Sequence, residues 1–280
     1  MASSTMISRP IPSTGEVMPV IGLGTARVFD VAADEAARQP LREVVQLLLD
    51  SGERMIDTSP MYGRAEAATG DLLAEIEARP RAFLATKVWT SGRERGIEQM
   101  RRSAQLLRTD VIDLIQIHNL VDWRTQLAAL RDTKARGTVR YLGITHYTTS
   151  ALPELARIIE TEPDIDFVQF GYSLATRDAE TRLLPAAAAR GVATIANQPF
   201  AEGDMFRRVR GRSLPEWAGE FDCTSWGQLF LKYILAEPAL TCVIPATANP
   251  AHMKDDLAAG FGRLPDARRR QQIRKLWDSL

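Results

Sequence analysis

The feature that most constrains this chain is a rhythm: short, nearly continuous apolar runs alternate with amphipathic stretches, and the alternation repeats eight times. Continuous apolar runs suit strands buried on both faces, and amphipathic stretches suit the helices that cross over between them. The predicted strands are 20–23, 54–57, 82–87, 111–118, 141–145, 167–170, 193–196 and 241–244. Their starts lie about 25 to 35 residues apart, the size of one strand-plus-helix unit, with a longer interval before the last.

Helical punctuation supports the rhythm. Leu41, Val44, Val45, Leu48 and Leu49 form an i, i+3, i+4, i+7, i+8 stripe, with Pro40 placed for an opening turn and Gly52 for the position just past the end. The pattern recurs over 127–136 closed by Gly137, over 152–160 opened by Ser150, and over 181–190 closed by Gly191. Eight such units without a low-complexity linker predict an α/β fold, a (β/α)₈ TIM barrel occupying 1–280 as one domain. The competing doubly wound sheet needs a third glycine after Gly22-Leu23-Gly24, and none is there.

Three segments break the repeat. Residues 6–19, with Pro10, Pro12 and Ser13-Thr14-Gly15, read as an N-terminal hairpin. Residues 199–222, rich in Gly, Arg and Pro, form a long excursion before a helix at 225–235, and loops of this length are more often functional than idle. The tail 265–280 carries Ile273, Leu276 and Trp277 at helical spacing and reads as a C-terminal capping helix.

The charge balance narrows the partners. Lys plus Arg and Asp plus Glu both number 35, so no net field draws the chain to nucleic acid or to an anionic membrane. A small-molecule partner is expected, with the protein a monomer or a weak homo-oligomer. The two cysteines, Cys223 and Cys242, are too few for a disulfide framework and read as free buried thiols in a reducing compartment. The N-terminus lacks a basic and then apolar leader, and no run reaches the roughly 18 apolar residues of a membrane span. A soluble, cytoplasmic protein is expected.

Active sites of (β/α)₈ barrels lie at the C-terminal ends of the strands, and four reactive side chains fall there. Asp57 ends the second predicted strand, Lys87 the third and His118 the fourth, while Tyr62 stands five residues beyond Asp57. Carbonyl reduction explains this set. A developing alkoxide needs a positioned proton donor, and a tyrosine hydroxyl, with a pKa of about 10, serves only if a cation favours its charged form. Lys87 supplies that cation, Asp57 holds it, and a neutral His118 orients the carbonyl oxygen. No metal is required. Each residue also has a structural reading: Asp57–Lys87 as a buried ion pair, Tyr62 as a packed loop aromatic, His118 as a satisfied strand-end histidine. The three histidines, His118, His146 and His252, all fall at or just beyond predicted strand ends.

The segments Gly22-Leu23-Gly24-Thr25, Ile56-Asp57-Thr58-Ser59-Pro60-Met61-Tyr62-Gly63, Ala85-Thr86-Lys87-Val88-Trp89, Asp113-Leu114-Ile115-Gln116-Ile117-His118 and Ile244-Pro245-Ala246-Thr247 resemble, in order and spacing, the signatures of the aldo-keto reductase family. The resemblance runs from about residue 7 to about residue 264. It implies an NAD(P)H-dependent oxidoreductase that interconverts small aldehydes or ketones with alcohols, with Tyr62 as general acid and base. The alternatives are a nucleotide-binding redox sensor on the same barrel and a lyase or isomerase using Lys87 as a Schiff base.

The same resemblance implies a cofactor site. Gly24, Thr25 and Asp57 border it, Gln169 meets the nicotinamide amide, and Thr145-His146 replaces the family's usual Ser-Asn pair. Asn197 stands where many members carry a stacking aromatic, and Gln198, Pro199, Phe200, Ala201 and Gly203 form the pyrophosphate loop. Ile244, Pro245, Ala246, Thr247, Asn249, His252, Asp255 and Asp256 belong to the adenosine end, with Lys254 nearby. His252 replaces an arginine common in members that prefer the 2′-phosphate. NADP(H) is expected by family habit, with NAD(H) as the alternative. The substrate opening is expected to be lined by Ala26, where relatives often have tryptophan, with Trp89 and Asn119.

Overall fold

The computed structural model describes residues 5–280. Residues 1–4, part of the stretch read as lacking a leader, lie outside the described residues. The chain opens with an antiparallel hairpin of β1 (Ser8–Pro10) and β2 (Val17–Pro19), whose turn is closed by the amides of Thr14 and Gly15 on the Ile11 carbonyl. Eight parallel strands follow: β3 (Leu23–Gly24), β4 (Met55–Asp57), β5 (Phe83–Val88), β6 (Ile112–His118), β7 (Val139–His146), β8 (Phe167–Gly171), β9 (Ala193–Asn197) and β10 (Cys242–Val243). Each pairs with the next, and parallel bridges Ile21–Val243 and Gly24–Ala246 join the first to the last. The sheet therefore closes into a barrel and leaves no free edge.

The helices are α1 (Glu35–Asp50), α2 (Ala65–Glu75), α3 (Arg93–Leu106), α4 (Trp123–Ala135), α5 (Leu152–Thr161), α6 (Leu183–Arg190), α7 (Asp204–Arg208), α8 (Trp226–Leu235), α9 (Pro250–Ala258) and α10 (Ala267–Ser279). The expected apolar stripe of α1 is its buried face, and Gly52, Gly137 and Gly191 follow their helices with positive φ. Two start signals were misplaced. Pro40 lies inside α1, which begins a turn earlier because Asp34 accepts the Ala37 amide at 3.0 Å and satisfies an orphan donor. Ser150 does not cap α5; it lies in a 3₁₀ turn with its hydroxyl on Thr148, and Pro153 shapes the first helical turn instead.

The excursion 199–222 is largely ordered, carrying α7 and a 3₁₀ stretch over Glu216–Phe221. It packs on an aromatic row in which Phe200 meets Phe206 at 4.9 Å, Phe206 meets Phe230 at 5.8 Å and Phe230 meets Trp277 at 5.7 Å between ring centroids. That row also seats α10, as the capping helix expected of the tail. Arg270 and Arg274 of α10 pair with Glu180, which also accepts from Tyr172 at 2.6 Å and Tyr233 at 2.8 Å. Both cysteines are free and buried.

Two apolar layers arise because successive strand residues point to opposite faces. The outer layer fills the space between strands and helices. The inner layer joins Met55, Phe83, Ala85, Leu114, Tyr141, Phe167, Ala193, Ile195, Cys242 and Ile244 to Ile11 and Met18 of the hairpin, which thereby plugs the N-terminal end. Phe83, Tyr141 and Phe167 fill it with ring centroids 5.5 to 6.2 Å apart. Stepping two residues along β5 leads from Phe83 and Ala85 to Lys87, and along β6 from Leu114 to Gln116 and His118. The inner face thus turns from apolar to polar toward the C-terminal end.

Close packing of the outer layer gives a test. A Cβ at Gly70 of α2 would lie 2.1 Å from the Leu106 carbonyl oxygen at the end of α3, whereas one at Gly219 meets nothing within 4 Å. Gly70→Ala is expected to cost about 1–3 kcal/mol in urea unfolding, because backbone must move to admit it. Gly219→Ala should stay within about 0.5 kcal/mol of the parent.

Candidate active site

Asp57, Lys87 and His118 come from the adjacent strands β4, β5 and β6 and are 3%, 1% and 6% exposed. The Lys87 ammonium donates to Asp57 Oδ2 at 2.6 Å and to the Thr58 carbonyl at 2.8 Å, and lies 5.1 Å from the centre of the Tyr62 ring. Burial pulls the Lys87 pKa down, but Asp57 and Tyr62 outweigh it and leave the pKa raised. The ammonium is therefore charged at neutral pH. Tyr62, half-buried, stands edge-on to His118 with centroids 5.9 Å apart. Burial, then the Lys87 charge, then His146 push the His118 pKa down to about 3, so the imidazole is neutral.

A second row of polar side chains holds this group. Asp57 Oδ1 accepts from Gln169 Nε2 at 3.0 Å and from Gln116 Nε2 at 3.3 Å. Gln169 Oε1 accepts in turn from Thr145 Oγ1 at 3.1 Å and Asn197 Nδ2 at 3.5 Å. Thr25 places its amide and its hydroxyl on the Asp57 carbonyl, at 3.0 and 2.9 Å. Thr58 Oγ1, Gln116 Oε1, Asn119 Oδ1 and Asn197 Oδ1 are buried without a partner among the described residues. Unpaired buried acceptors are costly, and several at one barrel mouth suit a polar guest.

Around this centre the structure collects most of the residues expected for a nucleotide. Gly24 is pressed against the Ile244 carbonyl, where a Cβ would come within 3.0 Å, and Pro245 and Ala246 continue along the seam between β10 and β3. After β9, Pro199 is buried, Phe200 packs on Phe206, and Gln198, Ala201 and Glu202 adopt left-handed φ of 51°, 48° and 54° ahead of Gly203 at 92°. Glu202 pairs with Arg27 at 2.9 Å, linking the loops after β9 and β3. His146 is half-buried, with Nδ1 accepting the Thr148 amide at 3.2 Å and its ring stacked on Tyr147. Burial lowers its pKa.

At the other extreme, Asn249 caps α9 by accepting the Ala251 amide at 2.9 Å, and Thr247 Oγ1 accepts the Asn249 amide at 3.0 Å. Asp255 is occupied by Ser225, which caps α8, and by Gln228 within it, both at 2.7 Å, and burial raises the pKa of Asp256. His252 departs from expectation: it lies exposed inside α9, well past β10, because that strand ends at Val243. Of the pocket residues, Trp89 is 42% exposed with its ring 6.5 Å from that of His118. Asn119 is half-buried with φ 52°, and Ala26 is half-buried beside Arg27. Sequence reasoning missed Gln116 and gave Ser59 no role of its own. Gln116 was within reach, since it lies two residues before His118 and so shares its face of β6.

The histidine yields a pH prediction. In the unfolded chain His118 takes up a proton near about pH 6.5, and in the fold only near pH 3. Between these values the unfolded state binds more protons, so this contribution is full above 6.5 and is lost as pH falls toward 3. In urea unfolding from pH 7 to 4, His118→Gln should lose stability less steeply than the parent; parallel curves would refute the assignment.

Among the described residues no helix is long and apolar enough to cross a membrane, and no three His, Cys, Asp or Glu side chains gather to hold a metal ion. The chain is similar to methylglyoxal reductase YeaE of Escherichia coli, 25% identical over 262 residues, 90% of this chain and 89% of that protein. Aldo-keto reductase YhdN of Bacillus subtilis is 26% identical over 227 residues, 76% of this chain and 66% of that protein. The fold is like that of an aldo-keto reductase from Klebsiella pneumoniae solved in complex with NADPH, with a TM-score of 0.81 at 24% identity over 97% of this chain and 96% of that one. With the sequence profile of the aldo/keto reductase family matching residues 20–277 across the closed barrel and its polar mouth, this chain belongs to that family.

Proposed function

We propose that this protein reduces small aldehydes or ketones to alcohols, and runs the reverse reaction, with NADP(H) as cofactor and Tyr62 as general acid and base. One observation carries the reading: a fully buried, charged Lys87 is held by Asp57 against a tyrosine that also packs on a neutral histidine. The bound nicotinamide supplies the hydride. Tyr62 gives its hydroxyl proton to the oxygen that gains charge, and Lys87 stabilises the phenolate left behind. Asp57 keeps the ammonium in place, and Gln116 and Gln169 keep the carboxylate in place. His118, uncharged, steers the carbonyl oxygen by a hydrogen bond. The raised Lys87 pKa speaks against a Schiff-base role, which needs a free amine.

The residues fit the cofactor. Thr145, Gln169 and the unpaired Asn197 Oδ1 suit a carboxamide, which offers both a donor and an acceptor. His146, tied at Nδ1, takes the place next to them. In the loop of Gln198, Pro199, Phe200, Ala201 and Gly203 the Gln198 and Phe200 amides suit the pyrophosphate, since Pro199 has no N–H and the Ala201 and Gly203 amides already meet the Gln198 and Phe200 carbonyls. Thr247, Asn249 and the start of α9 suit phosphate at the adenosine end. His252 and Lys254 are exposed side chains of α9 there, while Asp255 of the same helix is turned to Ser225 and Gln228 and Asp256 is buried. The NADPH complex of the Klebsiella pneumoniae protein supports NADP(H) over NAD(H). Ala26, Trp89 and Asn119 border the substrate, and the relative's name makes methylglyoxal a sensible first member of a carbonyl panel.

Tyr62→Phe is expected to bind NADPH like the parent but to reduce 4-nitrobenzaldehyde about 10²- to 10⁴-fold more slowly. Equal rates would remove Tyr62 from the chemistry. Titrations of NADPH and NADH by fluorescence quenching should give the lower Kd for NADPH; tight binding of NADH alone would overturn that choice.

A further inference from the structure

Ser59 stands two residues after Asp57 and is fully buried. Its hydroxyl oxygen accepts the Met61 amide at 3.1 Å and lies 3.0 Å from His118 Nδ1. A serine hydroxyl has one proton to give and two lone pairs to offer. The Met61 amide uses one pair, which leaves the direction of the contact with His118 to be decided by counting.

Were the imidazole proton on Nδ1, the ring would be a second donor aimed at Ser59 Oγ. The hydroxyl's own proton would then be buried without an acceptor, since among the described residues this hydroxyl has no other hydrogen bond. Folded proteins avoid such orphans. With the roles reversed every group is satisfied: Met61 donates to Oγ, and Oγ donates to a bare Nδ1. The single proton of the neutral ring must then sit on Nε2, the nitrogen that makes no hydrogen bond among the described residues and so is left to meet a substrate oxygen.

We propose that Ser59 is a positioning residue that fixes His118 as the Nε2-protonated tautomer and so presents an N–H to the substrate carbonyl. This rests on the reductase reading for its purpose, but not for its geometry. The choice of tautomer is a real one because burial and the charge of Lys87 keep the ring neutral, with His146 the remaining titratable neighbour. The rings of Tyr62 and Trp89, 5.9 and 6.5 Å away, hold the imidazole plane without offering either nitrogen a hydrogen bond.

The test is nitrogen NMR on the full chain labelled at histidine, at neutral pH, with the His118 signals identified by their loss in His118→Gln. The parent is expected to show a protonated Nε2 and a bare Nδ1. In Ser59→Ala the proton should spread over both nitrogens, and kcat for 4-nitrobenzaldehyde should fall about tenfold at unchanged Kd for NADPH and unchanged Tm. A proton on Nδ1 in the parent overturns the proposal, as does an alanine variant that keeps the parent's tautomer or its kcat. If the tautomer responds as expected while the parent reduces no carbonyl compound, the reductase reading falls and the tautomer assignment stands.

Discussion

An ammonium ion buried to 1% exposure is the constraint on which the rest of this structure depends. Taking such a charge out of water costs several kcal/mol unless an opposite charge and further acceptors meet it. Asp57 and the Thr58 carbonyl do so, and the demand then spreads outward. Asp57 is itself buried, so its second oxygen takes amide protons from β6 and β8, and Thr25 fastens its carbonyl from the end of β3. Through Gln169 the chain of contacts reaches Thr145 on β7 and Asn197 on β9. One charge thus ties together nearly the whole ring of strands at the end where reactive groups are needed.

The opposite end is built on another principle. Aromatic and aliphatic side chains fill the barrel, and the hairpin closes it with Ile11 and Met18. The division follows from the two-residue period of a strand, which lets one inner face run from Phe83 to Lys87 within a few residues. Stability is thereby concentrated below and chemistry above. The loops above carry left-handed backbone at Arg27, Asn119, Leu120, Gln198, Ala201 and Glu202, a conformation that non-glycine residues adopt at a cost and that clusters at functional sites.

Much of this was legible beforehand, for local reasons. Buried parallel strands must be apolar on both faces, so all eight could be located from runs such as 111–118, within one to three residues of their ends. The errors lay where two local signals compete. Asp34 outbid Pro40 at the start of α1, since a side-chain acceptor for an orphan amide is a stronger signal than a preset φ. The excursion 199–222 looked like loop because its order comes from rings on α8 and α10, far along the chain.

By itself, then, the order of residues determined the number and sequence of the strand–helix units and put an acid, a phenol, an amine and an imidazole near strand ends, because periodicity and spacing are local properties. Tertiary structure alone decided that Gln116 and Gln169 share one carboxylate oxygen and that Ser59 faces His118. It also decided the charge of each group. A pKa answers to burial and to neighbours through space, and those of Lys87 and His118 lie on other strands and loops of the barrel.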